Sequence, residues 1–155
     1  MKICKNCIQP DTRPGIFFTD DGLCGACLWE VEKQNIDWES RKKELAGIIE
    51  LSKKNNSSAY DCAIGVSGGK DSTFQAFYAR DELNLRCLLV NYEPDERTEI
   101  GNKNIENLKK SGFDVLSIRP NHNIMKKLAK YDFFNFLNIV KATEFPLYSS
   151  TYIIA

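Results

Sequence analysis

Residues 60–72, YDCAIGVSGGKDS, decide the fold, because in them an apolar run passes directly into a turn with two adjacent glycines. The run at residues 62–66 predicts a buried strand, and the spacing that follows predicts a helix over residues 71–84. In an open α/β sheet, ligands bind where strands end and helices begin. The turn between the strand and the helix is therefore the first candidate for a functional site.

The same alternation continues along the chain. An apolar run at residues 87–90 predicts a second strand, a periodic stretch at residues 99–111 predicts a helix that ends at Gly112, and residues 114–118 predict a third strand. Strands that alternate with helices of about a dozen residues indicate right-handed crossovers and a parallel sheet, so the predicted fold class is α/β. The last stretch, residues 121–155, is predicted to form helices broken near Pro146.

Two CxxC pairs precede this α/β region. Tetrahedral zinc takes four thiolates, and two CxxC turns joined by a hairpin supply four ligands and close the site. The pattern predicts a structural zinc ribbon over residues 1–28, followed by a helix and linker over residues 29–59, with Trp38, Leu45, Ile48, Ile49 and Leu51 on one apolar stripe. Cys62 and Cys87 lie inside apolar strands and are interpreted as core residues. The predicted zinc ligands are Cys4, Cys7, Cys24 and Cys27.

Charge and hydropathy exclude several classes of function. The 155 residues include 21 Lys and Arg and 21 Asp and Glu, so the formal net charge is zero. Such a chain has no general attraction to nucleic acid or to anionic lipid, and any phosphate site must be local. No apolar stretch reaches the roughly 18 to 20 residues that span a bilayer, and the start lacks an apolar signal core. We therefore expect a cytoplasmic protein without a membrane partner.

The turn has the chemistry of a phosphate site. Gly68 and Gly69 allow the backbone to approach an anion closely, and the N-terminus of the following helix presents free N–H groups. Ser67 and Ser72 can add hydroxyl donors. Asp71 carries a negative charge, so its predicted role is to hold Mg²⁺ that bridges phosphate oxygens.

Three other interpretations of this turn compete with a phosphate-binding loop. A Walker A loop fails, because Ile64 stands where its first glycine is required and Asp71 where Ser or Thr is required. A GxSxG nucleophile elbow fits Ser67, with His122 as base and Asp95 or Asp114 as orienting acid, but that elbow normally follows several strands of its own sheet. A purely structural βα turn is the third possibility.

Five segments of the chain together carry a resemblance to a known family. The segments are MKICKNCIQPDTRPGIFF (1–18), DDGLCGAC (20–27), NIDWESR (35–41), YDCAIGVSGGKDS (60–72) and TEIGNKNIENL (98–108). They resemble the N-acetyl sugar amidotransferases, which are PP-loop ATP-pyrophosphatases of lipopolysaccharide O-antigen and flagellar sugar biosynthesis. The resemblance covers nearly the whole chain and combines the ribbon with the SGGxDS loop at residues 67–72.

The resemblance implies an ATP-dependent reaction. The acetamido oxygen of an N-acetyl sugar attacks the α-phosphorus, pyrophosphate leaves, and ammonia then displaces AMP to leave an acetamidino group. The implied catalytic residues are Asp71 and Lys70, although Lys70 occupies the variable position of the loop. The implied ATP-binding residues are Ser67, Gly68, Gly69, Lys70, Asp71 and Ser72, with Val66, Asn91 and Tyr92 near the adenosine.

The resemblance also implies partners and further strands. The substrate would be a nucleotide-linked N-acetyl sugar, and a separate glutaminase with an ammonia-channelling subunit would supply the nitrogen. The superfamily sheet has about five strands, so we expect residues 60–155 to be the N-terminal part of the PP-loop domain, with an incomplete sheet. Two alternatives stay open: a PP-loop tRNA-modifying enzyme, and a truncated module that binds nucleotide without catalysis.

Glu93, Asp95 and Glu96 follow the second strand and are interpreted as a polar loop that could add a metal ligand.

Overall fold

The computed structural model describes residues 1–94 and 96–155. The chain forms two compact units, Met1–Leu51 and Ser52–Ala155. None of the helices in these ranges combines the length and the apolar character that crossing a bilayer requires.

The first unit is a small hairpin structure followed by helix. Antiparallel bridges join Ile3 to Pro10 and Phe18 to Cys24, and Gly22, at a φ of +82°, forms the turn between the second pair. Helices α1 (Gly25–Gln34) and α2 (Trp38–Asn55) follow. The single helical stretch predicted from residue 29 is thus two helices, because Asp37 Oδ1 accepts the Ser40 N–H at 3.0 Å and starts a new one.

The second unit is built on a three-stranded sheet. Its strands are β1 (Cys62–Gly65), β2 (Cys87–Tyr92) and β3 (Asp114–Ile118), all parallel and in the order β1-β2-β3. The prediction of an α/β fold with a parallel sheet is confirmed. Because the strands are parallel, the carboxyl ends of β1 and β2 lie side by side at the same end of the sheet, where Gly65 pairs with Val90.

The crossover helices cover one face of the sheet. They are α3 (Lys70–Phe77), which continues as a π-helical turn (Tyr78–Glu82), and α4 (Glu99–Lys110). Gly112, at a φ of +87°, follows α4 as predicted and donates its N–H to the Lys109 carbonyl at 3.0 Å. Between these helices and the sheet lies the core: Ile64, Val66, Ala76, Ala79, Cys87, Leu89, Ile105, Leu108 and Phe113.

Two further helices, α5 (His122–Phe136) and α6 (Lys141–Ile154), complete the chain. The predicted break near Pro146 is wrong, since Pro146 lies inside α6. The chain turns instead at Leu137, whose φ is +52°, and Asn138 Oδ1 accepts the N–H groups of Val140 and Lys141. Helix α6 packs against β1 and β2, where Thr151 lies beside Gly65 on the face opposite the core.

Candidate functional site

The four cysteines of the two CxxC pairs converge on one point. Their sulfur atoms all lie within 4.8 Å of one another, with 3.8 Å from Cys4 Sγ to Cys27 Sγ and 3.7 Å from Cys7 Sγ to Cys24 Sγ. A tetrahedral zinc with Zn–S bonds of about 2.3 Å places its sulfurs about 3.8 Å apart. The four side chains therefore fit a metal ion, which is what the sequence predicts.

Two of the four sulfurs accept hydrogen bonds from nearby N–H groups. The Cys24 N–H donates to Cys4 Sγ at 3.2 Å, and Asn6 Nδ2 donates to Cys27 Sγ at 3.4 Å. Burial raises the pKa of the Cys4 thiol, but the backbone N–H groups of Cys24, Asn6 and Cys7 outweigh it and lower that pKa to about 6. The Cys24 N–H thus orients a ligand as outer-shell donors do in metal sites. Asn6 lies inside the first CxxC pair and was not predicted.

The glycine-rich turn lies where the sequence predicts it, between β1 and α3. Gly68 has a φ of +80°, a conformation that favours glycine, and Gly69 is the N-cap residue of α3. The hydroxyls of Ser67 and Ser72 both face this turn: Ser67 Oγ accepts the Gly69 N–H at 3.4 Å, and Ser72 Oγ donates to the Gly69 carbonyl at 3.3 Å. The first-turn N–H groups of α3 lack partners within the helix and can receive an anion.

The two charged residues of the turn are open to solvent. Lys70 Nζ lies 2.7 Å from Asp71 Oδ1, and the two side chains are 89% and 90% exposed. An ion pair this exposed contributes little to stability. Both groups are therefore free to turn toward a bound phosphate or cation at small energetic cost.

A cavity of about 510 Å³ opens beside the turn, on the sheet face that α6 covers. Of the three residues that the resemblance places near adenosine, Val66 and Tyr92 line this cavity. Asn91 does not, because successive side chains of a strand point to opposite faces. It is fully buried, donates to Ser117 Oγ at 3.0 Å and accepts from Arg97 Nη2 at 2.9 Å.

Helix α6 supplies cavity residues that sequence reasoning missed. Leu147, Tyr148, Thr151 and Tyr152 line the cavity opposite Val66 and Ser67. The i, i+4 spacing of the two tyrosines puts them on one side of α6, but nothing in the sequence indicates that this side meets β1. Their phenol rings provide flat apolar surfaces beside the glycine-rich turn.

Asp114, one of the two acids considered for orienting a base at Ser67, does not lie near that serine. Asp114 is the first residue of β3 and accepts the Tyr60 hydroxyl at 3.0 Å, so it lies at the edge of the sheet opposite the end of β1. It therefore cannot orient a base for Ser67. Glu93 and Glu96 line a second, polar cavity with Arg97 and Arg119, whereas Asp95 lies outside the described residues.

Comparison with protein-family models and with curated proteins gives no match for this chain. Each candidate site is therefore defined by its own geometry. In Ser52–Ala155 it is the glycine-rich turn at the carboxyl end of β1, and in Met1–Leu51 it is the cluster of four cysteines that could hold a metal ion.

Proposed function

We propose that this protein is an ATP-dependent, AMP- and pyrophosphate-forming amidotransferase of the PP-loop class that acts on an N-acetyl sugar. The observation that carries the proposal is the turn at residues 67–72, which joins the end of β1 to α3 with Gly68 at a φ of +80°. Serine hydroxyls, backbone N–H groups and a carboxylate meet there, which is the set of groups that binds a magnesium polyphosphate.

In this proposal the turn holds the pyrophosphate part of ATP. The N–H groups of the turn and of the first turn of α3 donate to its oxygens, and Ser67 and Ser72 add hydroxyl donors. Asp71 holds Mg²⁺, and Lys70 balances phosphate charge. The adenosine occupies the cavity between Val66 and the tyrosines of α6.

The proposed reaction has two steps. The acetamido oxygen forms a bond to the α-phosphorus as the bond to pyrophosphate breaks, giving an imidate joined to AMP. Ammonia then adds to the imidate carbon, and AMP leaves with its electron pair to give the acetamidino group. The protein's contribution is to align the reactants and to neutralise phosphate charge.

The metal centre has a separate role in this proposal. Cys4, Cys7, Cys24 and Cys27 would hold zinc as a structural ion, since four sulfur ligands leave no open coordination position. Bound zinc supplies folding free energy to a unit whose buried residues are mostly these cysteines. The proposed substrate is a nucleotide-linked N-acetyl sugar, with ammonia from a separate glutaminase through a channelling subunit.

Phosphorus NMR of the protein with Mg-ATP, ammonium and a panel of nucleotide-linked N-acetyl sugars tests the proposal, with bulk tRNA as a parallel substrate. We expect AMP and pyrophosphate in the presence of a sugar and not in its absence. ADP and phosphate would overturn the assignment of the turn. AMP formation with tRNA alone would favour the tRNA-modifying class, and ATP binding without turnover would favour a binding module.

The Asp71→Ala variant is the sharpest test of the site itself. We expect Mg²⁺-dependent turnover to fall about 10²–10³-fold, since the carboxylate that would hold Mg²⁺ beside the reacting phosphates is lost. Asp81→Ala is the matched control, because Asp81 pairs with Arg80 at the other end of the same helical segment. An Asp71→Ala rate equal to that of Asp81→Ala would remove Asp71 from the site.

A further inference from the structure

A side chain from the neighbouring helix holds the glycine-rich turn. Asn104, in α4, donates from Nδ2 to the Gly68 carbonyl at 2.9 Å. A Cβ added to Gly68 would lie 3.1 Å from Asn104 Cβ and 3.3 Å from the Gly101 carbonyl. The Gly68 backbone is therefore packed directly on α4, and Asn104 supplies a donor for its buried carbonyl.

This hydrogen bond fixes the direction of a second group. The Gly68 carbonyl and the Gly69 N–H belong to one planar trans peptide, so they point in opposite directions. With the carbonyl held toward α4, the Gly69 N–H faces the inner side of the turn, where Ser67 Oγ lies 3.4 Å away. The inner side is where a phosphate would meet the donors of the turn.

Asn104 is itself on a firmly placed helix. Thr98 Oγ1 caps α4 by accepting the Gly101 N–H at 3.1 Å, and Ile105 and Leu108 of the same helix are 3% and 2% exposed in the core. Because the helix is capped and packed, the Asn104 amide has a defined position relative to β1.

We propose that Asn104 is a positioning residue that sets the orientation of the Gly68–Gly69 peptide for binding the pyrophosphate moiety of a nucleotide. The inference rests on the proposed function and deepens it, because it assigns to α4 a part in a site otherwise made by β1 and α3. Asn104 acts through the peptide and does not itself contact the ligand. Its loss lets the peptide rotate and turns a carbonyl toward the phosphate.

Isothermal titration of the full chain with magnesium pyrophosphate tests this inference. Asn104→Ala removes the donor, and we expect the affinity for pyrophosphate to fall about tenfold, which is the upper range for one hydrogen bond. Asn104→Asp keeps the shape but places a carboxylate opposite the Gly68 carbonyl, so a larger loss is expected. Adenosine, followed by ligand-observed NMR, should bind all variants equally, since the cavity beside α6 is untouched.

Asn107→Ala is the matched control, because Asn107 lies one turn along α4 in the same groove as Asn104. Its affinities and melting temperature should match those of the wild type. Equal losses of pyrophosphate and adenosine binding in Asn104→Ala would indicate general damage and overturn the positioning role, as would wild-type affinity for pyrophosphate. A wild-type chain that binds neither ATP nor pyrophosphate would overturn the proposed function and this inference together.

Discussion

The two compact units differ in what fills their interiors. In Met1–Leu51 the buried cluster is Cys4, Cys24 and Cys27, with Phe18 and Leu23 packed beside it. In Ser52–Ala155 nine residues form a core between the sheet and the helices α3 and α4. One interior is made of cysteine side chains that could hold a metal ion, and the other is made mainly of hydrocarbon side chains.

This difference leads us to expect two sources of stability in one chain. A small unit buries little apolar surface to offset chain entropy, so a bound metal would be a further source of folding free energy. Helix α2 shows the shortage: none of its residues is buried, and Trp38, Ile48 and Leu51 are more than half exposed. We therefore expect the units to respond to different perturbations.

Removal of the metal should give the largest effect. A structural zinc contributes about 10–16 kcal/mol to small metal-dependent units, so Cys24→Ser, or a strong chelator, should unfold the ribbon while the sheet stays folded. Hydrogen exchange measured by mass spectrometry would show lost protection at residues 3–28 and retained protection at residues 87–92. Metal analysis of the wild-type protein should give about one zinc per chain.

Cys62→Ser is the control for this change, because Cys62 is a cysteine of β1 that lies outside the four-cysteine cluster. It should keep the metal and the ribbon's protection. Full hydrogen-exchange protection of residues 3–28 in a metal-free wild-type protein would show that packing of the cysteines alone stabilises this unit. The expectation that the two units have different sources of stability would then be wrong.

Truncation in the hydrocarbon core should give the next largest effect, in the opposite unit. Leu89 is 0% exposed at the centre of β2, and Leu89→Ala should lower the free energy of unfolding by about 2–5 kcal/mol. The measurement is the denaturant midpoint followed at the sheet, with zinc content measured in parallel. Zinc content should not change, because no metal ligand is touched.

Leu51→Ala is the matched control, since Leu51 is 61% exposed on α2. A surface substitution of this kind should shift stability by less than about 0.5 kcal/mol. A Leu89→Ala protein that loses zinc as well would show that the two units unfold as one.

Local patterns were sufficient to predict the sheet. The apolar run at residues 114–118 is β3 in the structure, and the alternation of strands and helices correctly predicts that the strands are parallel. The second strand is longer than predicted, because Asn91 and Tyr92 continue it. The polar Asn91 can lie buried in this strand because its side-chain amide makes hydrogen bonds with Ser117 and Arg97.

Only those parts of the candidate site that are formed by residues close together in sequence could be predicted. The turn at residues 67–72 and the four cysteines are readable from short spacings. The alternation of side chains along β2 would have separated Asn91 from Tyr92, because the two face opposite sides of the sheet. The contributions of Asn104 and Tyr148 depend on where α4 and α6 pack, and no short spacing contains that information.

The smallest expected effect concerns an ion pair between Asp61 and Arg86, which directly precede β1 and β2. Arg86 donates from Nη2 to Asp61 Oδ1 at 2.8 Å and from Nε to Oδ2 at 3.1 Å. Hydrogen bonds from the Arg86 side chain and N–H lower the pKa of the Asp61 carboxyl from 3.8 to about 2. The ion pair therefore stabilises the fold fully above about pH 4, and this contribution is lost as the pH falls toward 2.

Asp61→Asn should flatten the pH dependence of unfolding between about pH 4 and 2, because the variant has no carboxylate to protonate at this position. Chemical denaturation followed at the sheet measures this slope, and Glu30→Gln, which breaks the exposed ion pair with Lys33 in the first unit, should leave it unchanged. Protons also displace zinc from thiolates, so the ribbon should lose its metal under the same acid conditions in both proteins. A slope that Asp61→Asn leaves unaltered would mean that metal loss, and not the Asp61–Arg86 pair, determines the acid sensitivity of the sheet.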